Sequence, residues 1–330
     1  MQNTLTLSIL GKRSAFPNRH FPEKIGVIYS GQVMQTGRQL TRIQADLLLL
    51  LTAAVWGSGF IAQRIAAPNM NIFYFNGGRF LLGALLLIPL VRFKLHIEKK
   101  KFSRVLLAGF LLFSAGAFQQ AGMITTTAGN AGFITGLYVI FVPIFLWLIW
   151  RDKQKWNVWM AAAVAVIGML LLSTGGKLNL APGDRLELIG AILWAMHVIV
   201  VGRTVQGMHP LHFAIGQFMV CAILNFGTGF IIDPQGLTQI SSLWWTILYN
   251  GIASVAIGFT LQGVAQKYAP PTDAALILSM EAVFAAVFGF VFLSERFSSE
   301  QLIGGILVMA AILLAQANFS PKHLIEAEKR

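Results

Sequence analysis

Charge is scarce in this chain, and cysteine is almost missing. Asp, Glu, Lys and Arg make up 12% of the 330 residues, about half the share of a soluble domain, which argues against two soluble domains although the length would allow them. The one cysteine, Cys221, lies in an apolar stretch. It excludes an intrachain disulfide and a cysteine-rich metal site, and it reads as a small packing residue. Acidic residues are few, 13 against 25 basic ones, for a net charge of +12. On a soluble protein that excess would suggest nucleic acid. Here the basic residues sit in loops and tails, which is the pattern of orientation in a membrane, so no nucleic-acid partner is expected. The familiar catalytic signatures are missing too: no Walker glycine loop, no His-Glu-x-x-His, no Gly-x-Ser-x-Gly and no cysteine pair. The expectation is a protein that is not an enzyme and uses no cofactor or metal. Without a nucleotide-binding loop, transport energy has to come from a substrate gradient or a coupled ion.

What is present is apolar length. Hydrophobic residues make up 56% of the chain, and a helix needs about 20 of them to cross the hydrocarbon. Ten stretches qualify: 46–66, 72–92, 103–124, 127–149 and 156–174, then 186–204, 211–232, 243–266, 272–293 and 300–319. Connectors are short, and Pro270-Pro271 forbids one helix running through spans eight and nine. Residues 1–45 carry basic residues and prolines without a sustained period. They read as a disordered cytoplasmic tail; the alternative expectation is that the first 33 or so are an upstream extension before a true start at Met34. Residues 320–330 form a second cytoplasmic tail. With both ends inside, sixteen Lys and Arg face the cytoplasm and four (Arg64, Lys177, Arg185, Arg296) face outward. That bias sets the orientation and requires an even number of spans.

The two halves look alike. Trp56 and Arg79 are 23 positions apart, as are Trp194 and Gln217. Gln119 and Asp152 are 33 apart, as are Gln262 and Glu295. A duplicated unit with an odd number of spans enters the membrane upside down the second time. The expected fold is an all-α polytopic membrane protein, with ten transmembrane helices as two inverted five-helix repeats. The repeats are 46–175 and 186–319. Inverted repeats around a midplane site are the architecture of alternating-access carriers.

Particular motifs carry a family resemblance. They are Trp-Gly-Ser at Trp56–Ser58, Arg79-Phe80, Glu281, and the Ser-Glu-Arg that closes span nine. With the duplicated spacing, residues 46–318 resemble the EamA-type family of the drug/metabolite transporter (DMT) superfamily. The sequence departs from that pattern at Ala282, where the family often has proline after the glutamate. The first half has Tyr138 where the second has Glu281, and Arg79 is answered by Gln217, so a symmetric two-carboxylate mechanism is not expected.

Polar residues inside spans are the candidate substrate-cavity groups. Arg79 suits a two-point clamp on an anion, or a structural pairing between spans. Glu281, near mid-depth, is the proton-coupling candidate; otherwise it partners a cation, or Arg79 itself. His197 is either a proton-sensing group or a satisfied packing group. Gln119 and Gln262 line a shared cavity or bond neighbouring helices. Trp56, Trp194 and Tyr138 form aromatic walls, or an interfacial belt. Asp152 and Glu295 are read as surface ion pairs beside Lys153 and Arg296. Ala128, Gly132 and Gly136 recur at four-residue steps that let helices approach; a homodimer is left open.

The resemblance implies a secondary transporter in the bacterial inner (plasma) membrane. It would move a small metabolite such as an amino acid outward, with the lipid bilayer as its other partner. Efflux of drugs or lipid-like amphiphiles is the rival within transport. A membrane scaffold without flux is the rival outside it.

Overall fold

The computed structural model describes residues 40–174, 181–293 and 298–316. The N-terminal tail, the C-terminal tail, Glu295 and Arg296 lie outside the described residues. Every element within them is helical: α1 Arg42–Ala66, α2 Ile72–Leu87, α3 Lys99–Gly122, α4 Ala128–Gly136, α5 Tyr138–Trp150 and α6 Trp156–Thr174. There follow α7 Pro182–Thr204, α8 Pro210–Ile232, α9 Ile240–Tyr249, a π-helical segment Asn250–Phe259 and α10 Thr260–Ala265. The last three are α11 Pro271–Leu278, α12 Glu281–Leu293 and α13 Ser299–Gln316.

Among the described residues, eight helical stretches are long and apolar enough to cross a membrane. Two more, Trp156–Leu172 and Ser299–Ala315, are apolar but shorter. These are the fifth and tenth of the expected spans. Large apolar side chains cover the outside of the bundle, and a set of polar ones is buried among its apolar core. Leu47, Leu51, Leu85, Phe110, Trp147 and Ile306 point outward, while Asn76, Arg79, Glu187, His197, Gln262 and Glu281 are buried. Lipid does not compete for helix contacts the way water does, so apolar side chains can face it at no cost and polar ones turn inward.

Local sequence explains the helix ends. Thr41 and Gln44 form a capping box before α1, and Asn71 accepts from the Phe73 and Tyr74 amides before α2. Pro182, Pro210 and Pro271 each stand in the first turn, where the missing N–H costs nothing. Three spans are not the continuous α-helices expected. The fourth breaks at Leu137, between α4 and α5, and the ninth at Ser279-Met280, between α11 and α12. At both breaks the backbone tightens to three-residue hydrogen bonds, Leu137 N to Ile134 O at 3.1 Å and Met280 N to Ile277 O at 3.1 Å. The eighth span passes through ten π-helical residues.

The main packing partners come in matched sets. α6 packs on α13 and α2 on α8. α3 packs on α7, as α1 packs on the π segment and α10. α1 packs on α11 and α12, as α7 packs on α4 and α5. The α1–α12 crossing is tight at Gly57. A Cβ there would lie 2.7 Å from Phe284 Cβ and 2.8 Å from both Ala285 N and Glu281 O. Gly57→Ala should therefore push α12 away and cost about 1–3 kcal/mol, seen as a lower unfolding temperature of the purified protein in detergent. An unchanged temperature would mean that the crossing yields freely.

Two ion pairs tie helix ends. Arg42 Nη2 meets Asp273 at 2.6 Å, joining α1 to α11, and Arg203 Nη2 meets Asp152 at 2.5 Å, joining α7 to the end of α5. Asp152 was expected to pair beside Lys153. Its partner is Arg203, which also stacks 4.6 Å over the Trp150 ring.

Candidate functional site

The interior holds a narrow cavity of about 30 Å³. Its walls come from seven of the ten expected spans. α1 supplies Trp56, Phe60 and Gln63; α2 supplies Arg79; α3 supplies Gln119; Thr135 and Tyr138 flank the break between α4 and α5. α7 supplies Trp194 and Val198, the π segment Ser254 and Phe259, α10 Gln262, and α12 its first residue, Glu281. Seven of the eight residues singled out from the sequence meet here. His197 does not: it is fully buried outside the lining, with Nε2 2.9 Å from Gln217 Oε1. It is a packed, hydrogen-bonded helix partner, the blander of its two expected readings.

The lining is paired across the two halves. Trp56 and Trp194 are 138 positions apart, as are Phe60 and Val198. Gln119 and Gln262 are 143 apart, as are Tyr138 and Glu281. Tyr138 and Glu281 each open the helix that follows a break. Four pairs of equivalent positions thus face one hollow.

Charge in the cavity is separated. Arg79 is buried (2% exposed), and among the described residues no carboxylate pairs with it. Its guanidinium carbon sits 5.2 Å from the Phe75 ring centre and 5.0 Å from that of Phe80, cation–π contacts that offset part of the desolvation. Arg79 Nε is buried without a hydrogen bond. Glu281 (3% exposed) is not its partner. Glu281 instead interacts with Tyr138, although Glu281 Oε1 and Tyr138 Oη lack a regular hydrogen bond. Both nitrogen and oxygen of the Gln262 amide and Trp194 Nε1 are also buried without partners. Buried polar groups are rarely left this way, because each costs about 1–3 kcal/mol. A cluster of them in one hollow suits a polar guest.

Aromatic packing sets the shape. Phe259, at the end of the π segment, lies 4.7 Å from Trp56, 5.8 Å from Trp194, 5.8 Å from Phe80, 5.9 Å from His197 and 6.0 Å from Phe218. Trp56 Nε1 donates to Ser254 O at 3.1 Å. π-helical turns cluster at functional sites because the extra residue re-aims side chains. Phe259→Ala would empty the hub between both tryptophans. We expect a loss of about 3–5 kcal/mol, read as a lowered unfolding temperature together with a shift in tryptophan fluorescence. An unshifted spectrum would mean that the rings do not depend on Phe259.

Several residues were overlooked in the sequence. Gln63, Thr135, Ser254 and Phe259 line the cavity. Behind the lining, Glu187 is fully buried on α7. Gln119 Nε2 donates to Thr135 Oγ1 at 3.0 Å, and Thr135 Oγ1 donates to Glu187 Oε2 at 3.4 Å. Asn76 Nδ2 donates to Gly116 O at 3.1 Å and joins α2 to α3.

The chain is similar to known proteins over most of its length. The model of the EamA-like transporter family matches twice, over residues 43–174 and 181–316. An uncharacterized transporter of Archaeoglobus fulgidus is 30% identical, covering 83% of this chain and 86% of its own length. The uncharacterized inner membrane transporter YedA of Escherichia coli is 24% identical, with 86% and 93% covered. A solved crystal structure superposes with a TM-score of 0.70 at 17% identity, covering 84% of this chain and 97% of that one. That likeness concerns the fold alone.

Proposed function

The chain belongs to the EamA-like transporter family, and from that premise we propose that it is a secondary carrier for a small zwitterionic or anionic metabolite, an amino acid or similar. Membership makes it a multi-pass membrane protein with a transport role and a small-molecule substrate. The finer reading has ten spans in two inverted five-helix repeats, 46–175 and 186–319, with both ends in the cytoplasm of a bacterium. Export by alternating access is its mechanism, and the protein is a carrier, not an enzyme.

One observation carries this reading: equivalent positions of the two halves line the same cavity. A two-fold relation between repeats produces such pairing, and rocking about that axis is how inverted-repeat carriers alternate. The matched packing partners support it, as does the recurrence of a helix break beside Tyr138 and Glu281. Arg79 and Glu281, unpaired with each other, offer opposite charges to one guest. The aromatic walls would also suit an amphipathic drug, the rival reading, but a lone buried arginine disfavours a cationic one.

A comparative metabolite screen tests the proposal: cells with and without the protein, then uptake and exchange in reconstituted vesicles. Accumulation of one metabolite class outside expressing cells, reproduced as exchange in vesicles, is the expected result. No flux of any metabolite by folded protein would favour the scaffold instead.

A further inference from the structure

Glu187 has no part in the cavity as described, yet it is a carboxyl fully buried in the bundle. It receives one hydrogen bond, from Thr135, at the end of a directed chain that begins at the cavity residue Gln119. Its other oxygen, Oε1, is buried with no hydrogen bond. The ionisable groups that act on it are acidic: Asp184 one turn earlier on α7, and Glu281 across the cavity on α12. The packed faces of α3 and α4 bring it amide and hydroxyl groups, Gln119 and Thr135, and α5 brings Tyr138, which faces Glu281. Arg185, its neighbour on α7, is exposed on the outside. Asp184 is held as a helix cap, bound by the Thr126 hydroxyl and by Ala181 N at 2.7 Å.

Three carboxyls (Glu187, Asp184 and Glu281) meet here, and Arg79, the guanidinium in the cavity lining, forms an ion pair with none of them among the described residues, so Glu187 is left to take up a cation. The space selects which one. Gly122 of α3 packs directly on Glu187: a Cβ there would lie 2.7 Å from Glu187 Cγ and 2.9 Å from Oε1. Hard metal cations need several oxygens around them, and this seat provides one free carboxylate oxygen against backbone. A proton needs no more than that.

We propose that Glu187 is a second proton-binding carboxyl of the carrier, linked to the cavity through Thr135 and Gln119. This rests on the carrier reading, and it deepens that reading by naming a second proton seat. In the step, Glu187 carboxylate takes a proton from hydronium when the cavity opens to one side: one O–H bond of hydronium breaks, the carboxyl O–H forms and water is left. It returns that proton to water on the other side, and nothing is oxidised or reduced. A single buried carboxylate can bind either substrate or proton. A second one lets the cavity keep a proton while Glu281 holds the guest.

The test uses the purified full-length protein and protons as the ligand, so it does not depend on the substrate. Proton uptake is titrated across neutral pH, with the protonated-carboxyl infrared band followed in parallel. Wild type should bind one proton more than Glu187→Gln, and the variant should lose one carboxyl band. Thr135→Val leaves the carboxyl in place and should keep the count while shifting that band. Should Glu187→Gln fail to fold, Thr135→Val alone decides: a shifted band supports the proposal, and an unmoved band overturns it. Equal proton counts in wild type and folded Glu187→Gln also overturn it. Absence of flux in vesicles would sink the carrier reading and leave the proton count untouched, so the two failures are distinguishable.

Discussion

Glu281→Gln should reduce pH-driven flux about 100-fold, equivalent to about 2.7 kcal/mol. Glutamine keeps the size and the hydrogen-bonding capacity of the side chain but cannot take up or release a proton. Glu281 is buried at the start of α12, where the ninth span breaks, and its backbone carbonyl lies at the tight crossing with Gly57. Its side chain faces Tyr138 and the cavity, so folding should tolerate the neutral amide better than the cavity's chemistry does. Flux into vesicles under imposed pH gradients, with unfolding temperature as a control, measures this. A folded variant with the wild-type pH dependence would remove Glu281 from proton coupling.

Arg79→Lys should weaken apparent substrate affinity about 10- to 100-fold, or about 1.4–2.7 kcal/mol. Lysine keeps the positive charge but loses the planar fork that meets a carboxylate at two points. It also loses the flat face that lies between Phe75 and Phe80. Because no described carboxylate pairs with Arg79, the substitution breaks no internal ion pair. The loss should appear as a raised KM with a largely unchanged unfolding temperature. If Arg79 serves only to hold α2 in place, the reverse follows: lower stability with an unaltered KM.

Much of this was legible in the sequence because a bilayer imposes coarse rules. Apolar length marks each span, and landmarks such as Trp56 and Trp194 repeat at fixed intervals in both halves. Rarity did the rest: charge and amide groups are costly in lipid, so Arg79, Gln119, Gln262 and Glu281 stood out, and all four line the cavity. Backbone irregularities were not legible. Leu137 and Met280, at the two breaks, are ordinary apolar residues within apolar runs. The π segment Asn250–Phe259 has a composition any membrane helix could share. Phe259 was hidden among 25 phenylalanines, and only its position after the π turn makes it a hub. Glu187 was passed over because it falls near the edge of a span, where a carboxylate usually reaches water. The helix instead starts at Pro182 and carries it inside. Arg203 as partner of Asp152 needed the third dimension, since 51 positions separate them.

The central claim is that one polar cavity serves both faces of the membrane, and the scarcity of cysteine makes it directly measurable. Cys221 is the one cysteine of the chain, so Cys221→Ala gives a background without thiols. A single cysteine at Ser254, on the cavity wall, would then be probed with a membrane-impermeant thiol reagent applied separately to each side of oriented vesicles. Labelling from both sides is expected, with substrate shifting the balance between them. Labelling from one side alone, unmoved by any substrate, would contradict it.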